Sequence, residues 1–370
     1  MFRMSLEPAL RAPSAVAVSP ERGGSEPEAP VEGRSAWASD SRARSRWFFW
    51  GRLAFTLGLL ALLFSRVDLG TFADAIRGAL GFVLLIAVLS NSLALVISAA
   101  KWDYLLRGLG VKTSRWMLLE LYTMGFFVNA FLPGVVGGDV VRWQMAGRRT
   151  GERLKVAATI VAERATGLAA LLVLSVPAAL YLLPRSTLPL LVLAVFGVAS
   201  VIAAGFAVAL NRRLAISVLV RTKGTRARRP ARRLYGLHRA LRQFPRKPLL
   251  GAFGFSVLFY LSAGLTFFLV CRAFDTQITL MEATSVQLLI MMLIMIPISI
   301  GGLGLAQAGD VYLLGLLGIG AAEALGISMA RMMVAYVYAV VGAFLFMRWQ
   351  ARSAPGKPAA DLAKTRGRAG

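Results

Sequence analysis

Five charged residues sit inside apolar stretches of this chain: Asp139 and Arg142 in "FLPGVVGGDVVRWQMAGRR", Glu163 and Arg164 in "ATIVAERATGL", and Arg331 in the final apolar run. An ionised side chain at membrane depth costs at least about 2.5–3.5 kcal/mol on insertion scales, so each is a candidate for contact with a polar substrate. Asp139 and Arg142, three residues apart, share a helix face where they can pair, or where Arg142 can point at a ligand anion. Glu163 and Arg164 are adjacent and diverge by about 100° on a helix, so each needs a partner from another element. Gly137 and Gly138 precede Asp139 and leave the start of its helix bare, an arrangement that presents amides and a dipole to a phosphate oxygen. A second turn, "PISIGGLGLAQAG", adds Gly301, Gly302 and Gln307 to the candidate binding set.

Other chemistry is excluded by count. Cys271 is the only cysteine and His238 the only histidine, so neither an internal disulfide, nor a thiolate cluster, nor a histidine triad can be assembled. No nucleophile–base pair or metal constellation stands out, so neither catalysis nor a cofactor is expected.

These charges must be held by membrane helices. Hydrophobic residues make up 57% of the 370, and the mean hydropathy is +0.65. Several runs reach the roughly 20 apolar residues that cross a hydrocarbon core. The formal charge of +24 is concentrated in loops and tails, where it marks cytoplasmic segments against anionic lipid rather than a nucleic-acid partner. Residues 1–46 have the composition of a disordered tail. The first crossing, about 47–64, has no cleavable leader before it and would itself target the membrane, with Arg52 as an interfacial anchor. Further apolar segments fall at about 80–100, 117–133, 156–183, 187–210, 249–271, 284–300 and 323–347. A basic tail follows at 350–370.

Charge then sets orientation. The connection 211–248 is strongly basic and belongs inside, as do loops 101–116 and 147–155. The chain therefore enters 117–146 and leaves it on one side, which requires a helical hairpin turning at "LPGVVGGD". The same parity makes 284–322 a hairpin from the other side, turning at "PISIGGLG". Pro133 precedes Gly137 and Gly138 at the spacing with which Pro297 precedes Gly301 and Gly302. The expectation is an all-α polytopic integral membrane protein of about six full spans plus two re-entrant hairpins, with halves 80–183 and 249–347 forming an inverted repeat. Broken helices at matching places in two halves point to a transporter's binding site. Gly134 and Gly138 are spaced for close helix approach. Glu120 is read as interfacial, and Asp310 as either interfacial or cavity-lining.

Together "FLPGVVGGDVVRWQMAGRR", "ATIVAERATGL" and "IPISIGGLGLAQAG" resemble the membrane proteins related to the flippase domain of lysylphosphatidylglycerol synthases, over about 47–349. In that family the first motif runs approximately L-P-x-x-x-G-G-D-x-x-R, matched by Leu132, Pro133, Gly137, Gly138, Asp139 and Arg142, and an E-R pair follows at Glu163 and Arg164. The second motif, G-G-x-G-x-R-E, is matched at Gly301, Gly302 and Gly304. Ala306 and Gln307 stand where its Arg and Glu are expected.

The resemblance implies translocation of a polar-headed lipid in a bacterial inner membrane, with both termini cytoplasmic and no lysyl-transfer domain. Arg142, Arg164 and Arg331 would attract the lipid phosphate, while Asp139 and Glu163 hold those arginines in place or bind a cationic headgroup or a proton. A non-transporting scaffold for a lipid-modifying enzyme or glycosyltransferase, and a small-solute carrier, remain open alternatives.

Overall fold

A computed structural model describes residues 81–131, 137–182, 244–296 and 302–353, with a few isolated positions besides. The expected crossings at 47–64 and 187–210, Arg52, both tails, Pro133, Gly134, Pro297, Gly301 and most of the 211–248 connection lie outside the described residues. Among the described residues eight helices follow one another: α1 (Gly81–Gly108), α2 (Arg115–Phe131), α3 (Gly137–Thr150), α4 (Arg153–Leu182), α5 (Arg246–Ala273), α6 (Leu280–Leu293), α7 (Leu305–Gly315) and α8 (Ala321–Ser353).

Length separates these helices into two kinds. α1, α4, α5 and α8 are long and apolar enough to cross a membrane. α2, α3, α6 and α7 contain 17, 14, 14 and 11 residues. At 1.5 Å per residue the shortest is only about 17 Å long, well under a hydrocarbon thickness of about 30 Å. The α2–α3 and α6–α7 pairs are the two expected hairpins.

The halves α1–α4 and α5–α8 pack with the same topology, each helix of one matched in order by a helix of the other. Their equivalent helices α1 and α5 run antiparallel. Gly108 lies against Pro248, Gly251 lies under the Tyr104 ring, and Thr266 donates to Ser90 at 3.1 Å near the opposite end. Antiparallel pairing of equivalent elements is the geometry of an inverted repeat. Each hairpin also leans on the other half: α2 packs on α8 and α6 packs on α4. At the first of these contacts Gly342 meets the Thr123 backbone carbonyl so closely that a Cβ would overlap it.

One boundary differs from the sequence reading. The segment 101–116 is not a loop from its start, because α1 continues to Gly108. The apolar positions Leu95, Ala99, Trp102 and Leu106 keep a helical stripe buried past the first charges, so tertiary packing carries the helix through Lys101 and Asp103.

Candidate functional site

The first hairpin is closed by its glycines. Gly138 at the start of α3 faces Gly125 of α2, and a Cβ on Gly138 would come within 2.7 Å of the Gly125 carbonyl oxygen. Gly125 is therefore the partner that the sequence did not reveal. The Gly138 amide donates to Asn129 Oδ1 at 2.7 Å, so one of the free amides at this helix start has a side-chain acceptor.

Closure brings α3 against α4 and assembles the ion pairs. Arg142 bonds to the Glu163 carboxylate and lies 3.5 Å from Asp139 Oδ1. Arg164 Nε donates to Asp139 Oδ2 at 2.8 Å. Glu163 and Arg164 thus each take a partner from α3, as their divergence on the helix demands. Tyr122 of α2 donates its hydroxyl to Glu163. The Arg142 guanidinium lies in the corner of two edge-to-face aromatic rings, 3.9 Å from the centroid of Tyr122 and 4.4 Å from that of Trp102. Trp102 is itself held by its Nε1 donation to Thr159 Oγ1 at 3.0 Å. Arg142 is buried, 4% exposed, whereas the Arg164 side chain is 38% exposed.

Lys101 is the member that sequence reasoning missed. It is 7% exposed and donates Nζ to the Glu163 backbone carbonyl at 2.8 Å, beside Gly167. Tyr260 of α5 reaches the same turn through its bond to the Gly167 carbonyl. The signal that could have found Lys101 is the uninterrupted apolar stripe through Trp102 and Leu106. Counted along the helices, Lys101 lies about 10 Å from the end of α1 and Glu163 about 15 Å from the start of α4.

The second half holds a separate cluster. Arg331 on α8 does not join Arg142 and Arg164; its Nη2 donates to Asp310 Oδ2 of α7 at 2.6 Å. Ser328 donates to the same oxygen, leaving Asp310 Oδ1 and Arg331 Nε buried without a hydrogen-bond partner. Asp310 is fully buried within the protein, and Glu120 is exposed. Gln307 Oε1 accepts from the Gly304 amide at 2.6 Å and so caps its own helix, while its Nε2 lies 3.7 Å from Met332 Sδ. Gly302, at φ +79°, occupies the left-handed conformation that favours glycine and shapes the turn.

Both halves therefore place ion pairs between the hairpin's second limb and the following long helix. In the first, Arg142 of the limb pairs with Glu163 and Asp139 of the limb with Arg164 of the long helix; in the second, Asp310 of the limb pairs with Arg331 of the long helix, in the same sense as Asp139 with Arg164. This architecture agrees with comparison to known proteins, because the family described as "Lysylphosphatidylglycerol synthase TM region" matches residues 49–342. The chain belongs to that family. It is also 28% identical over 150 residues to a UPF0104 membrane protein of Pyrococcus horikoshii. That match covers 40% of this chain and 44% of the relative, so the chain spans less than half the relative's length. No solved structure matches it.

Proposed function

We propose that this family member moves a phosphate-headed or otherwise anionic polar lipid between the leaflets of a cell membrane, acting as a flippase-like transporter rather than an enzyme. The observation that carries the reading is the charge balance of the first cluster. Among the described residues, three cations, Lys101, Arg142 and Arg164, gather around two carboxylates, Asp139 and Glu163, so positive charge is in excess there. A buried excess charge is costly until an anion joins it, and a lipid phosphate supplies one. In this reading Arg142, buried against the Tyr122 and Trp102 rings, is the fixed base of the cluster, and Arg164, with more than a third of its side chain exposed, is the group assigned to the headgroup.

The family description supports a role connected with membrane phospholipid, since the synthase it names makes one. In this proposal the protein resides in a bacterial inner membrane with both termini in the cytoplasm, and its other partners are anionic lipid along the basic loops and a lipid-modifying enzyme that supplies or consumes the transported lipid. The test is translocation of a headgroup-labelled phosphatidylglycerol in proteoliposomes, read by an impermeant quencher. Arg164→Gln is expected to slow flipping at least about tenfold, equivalent to about 1.4 kcal/mol. A folded Arg164→Gln protein that flips lipid at the unmodified rate overturns the reading.

A further inference from the structure

Beside the buried cluster, and opening away from it, a cavity of about 630 Å³ lies between the last turns of α1, the start of α2 and α5. Its inner wall is apolar, formed by Val96, Leu119 and Phe255 among others, and its rim carries Asp103, Arg107 and Arg115. Asp103 is 4% exposed and receives both arginines by their Nε atoms, Arg107 at 3.0 Å and Arg115 at 3.2 Å. One carboxylate thus orients two guanidinium groups whose side chains stay 54% and 78% exposed. These contacts engage each arginine through Nε and leave its terminal nitrogens available to a phosphate, and two guanidinium groups on one carboxylate give the rim one positive charge in excess.

Two features say what belongs there. Arg115 begins α2, where its charge opposes the helix dipole, and Asp103 is shared with Arg107, so the rim is incompletely compensated. Trp116, 75% exposed on the rim, is the residue type that settles at the membrane–water interface. Val96, 51% exposed, extends the apolar wall toward the middle of α1. Cationic fork, interfacial tryptophan and apolar wall follow one another in the order of phosphate, glycerol region and acyl chain.

We infer that this groove docks one anionic phospholipid from the leaflet on the Arg107 side, its phosphate on the terminal nitrogens of Arg107 and Arg115 and one acyl chain along Val96, Leu119 and Phe255. The inference deepens the transport reading by giving the lipid a lateral docking place next to Lys101, and it rests on that reading only for the lipid's onward path. Its test is occupancy, measured without translocation.

The full-length protein in detergent is titrated with phosphatidylglycerol, and the bound lipid is counted by native mass spectrometry. Arg107→Gln with Arg115→Gln is expected to weaken binding more than tenfold, and Arg148→Gln with Arg149→Gln, which removes the same charge from exposed positions at the end of α3, to change it less than twofold. Arg107→Lys with Arg115→Lys keeps the charge but loses the Nε bonds, so an intermediate loss is expected; this pair carries the test if the glutamine pair fails to fold. Excess inorganic phosphate should leave the lipid bound. Equal weakening by both glutamine pairs, unchanged binding in the Arg107/Arg115 pair, or displacement by phosphate alone overturns the inference. Bound lipid in a chain that does not flip it would leave the groove standing and remove the transport reading.

Discussion

Replacing Arg142 by methionine removes the centre of the first cluster and leaves the Glu163 carboxylate, 12% exposed, without its main counter-charge. Breaking one side of a buried ion pair costs about 3–5 kcal/mol. The lost guanidinium contacts with Trp102 and Tyr122 act in the same direction, by about 2 kcal/mol for a desolvated cation over a ring, though the two effects overlap. Adding Glu163→Gln should reverse most of this. A glutamine still accepts the Tyr122 hydroxyl, and a methionine beside the Tyr122 and Trp102 rings regains sulfur–aromatic contacts of about 0.3–1.5 kcal/mol. The double variant is therefore expected within about 2 kcal/mol of the unmodified protein, and Arg142→Met at least about 3 kcal/mol below it. Equilibrium unfolding of all four forms in one detergent completes the double-mutant cycle. If the double variant is no more stable than Arg142→Met, the pair is not what holds α3 to α4, and the assignment of Arg142 as the fixed base of the site is wrong.

The two facing glycines of the first hairpin should respond differently. Gly138→Ala would drive a Cβ into the backbone of α2 and is expected to cost about 1–3 kcal/mol, whereas a Cβ at Gly125 meets its neighbours at 3.7 Å and Gly125→Ala should be neutral or stabilising by up to about 1 kcal/mol, both read by thermal unfolding. Asp310→Asn strands Arg331 and should destabilise by about 3 kcal/mol or more, with Arg331→Met recovering most of the loss. Lys101→Met removes the excess charge of the first cluster and is expected to slow lipid flipping in proteoliposomes while the protein still elutes as a single folded species. Cysteines introduced at 112 and 150 should both react with an impermeant thiol reagent from the same membrane face; labelling from opposite faces would remove the first hairpin.

The architecture was legible because helix ends, short limbs and like-charged flanks are local or additive signals. Pro133 and Pro297 with their following glycines marked both turns, and the divergence of Glu163 from Arg164 required partners on another element, which α3 supplies. What failed was long-range. Lys101 looked like the start of a loop because hydropathy falls there, although the burial of Trp102 and Leu106 keeps it inside. Gly138 was legible as a place of close helix approach, but nothing local named Gly125 across the turn as the partner. Asn129 gave no sign that it would occupy the Gly138 amide. Arg331 was grouped with Arg142 by charge, and only the antiparallel arrangement of the halves shows that Asp310 is its partner.

The exchange of contacts between halves also sets a schedule for biosynthesis. The face of α2 that receives Gly342 of α8 is made about two hundred residues before its cover emerges, which at about 5–20 residues per second is an interval on the order of 10–40 s. Through that interval the α2 surface around Thr123 and Phe127 has lipid or an insertion factor as its neighbour in place of α8. Chains stalled before residue 321 should therefore be degraded faster than complete ones, although every charge of the first cluster has already been synthesised.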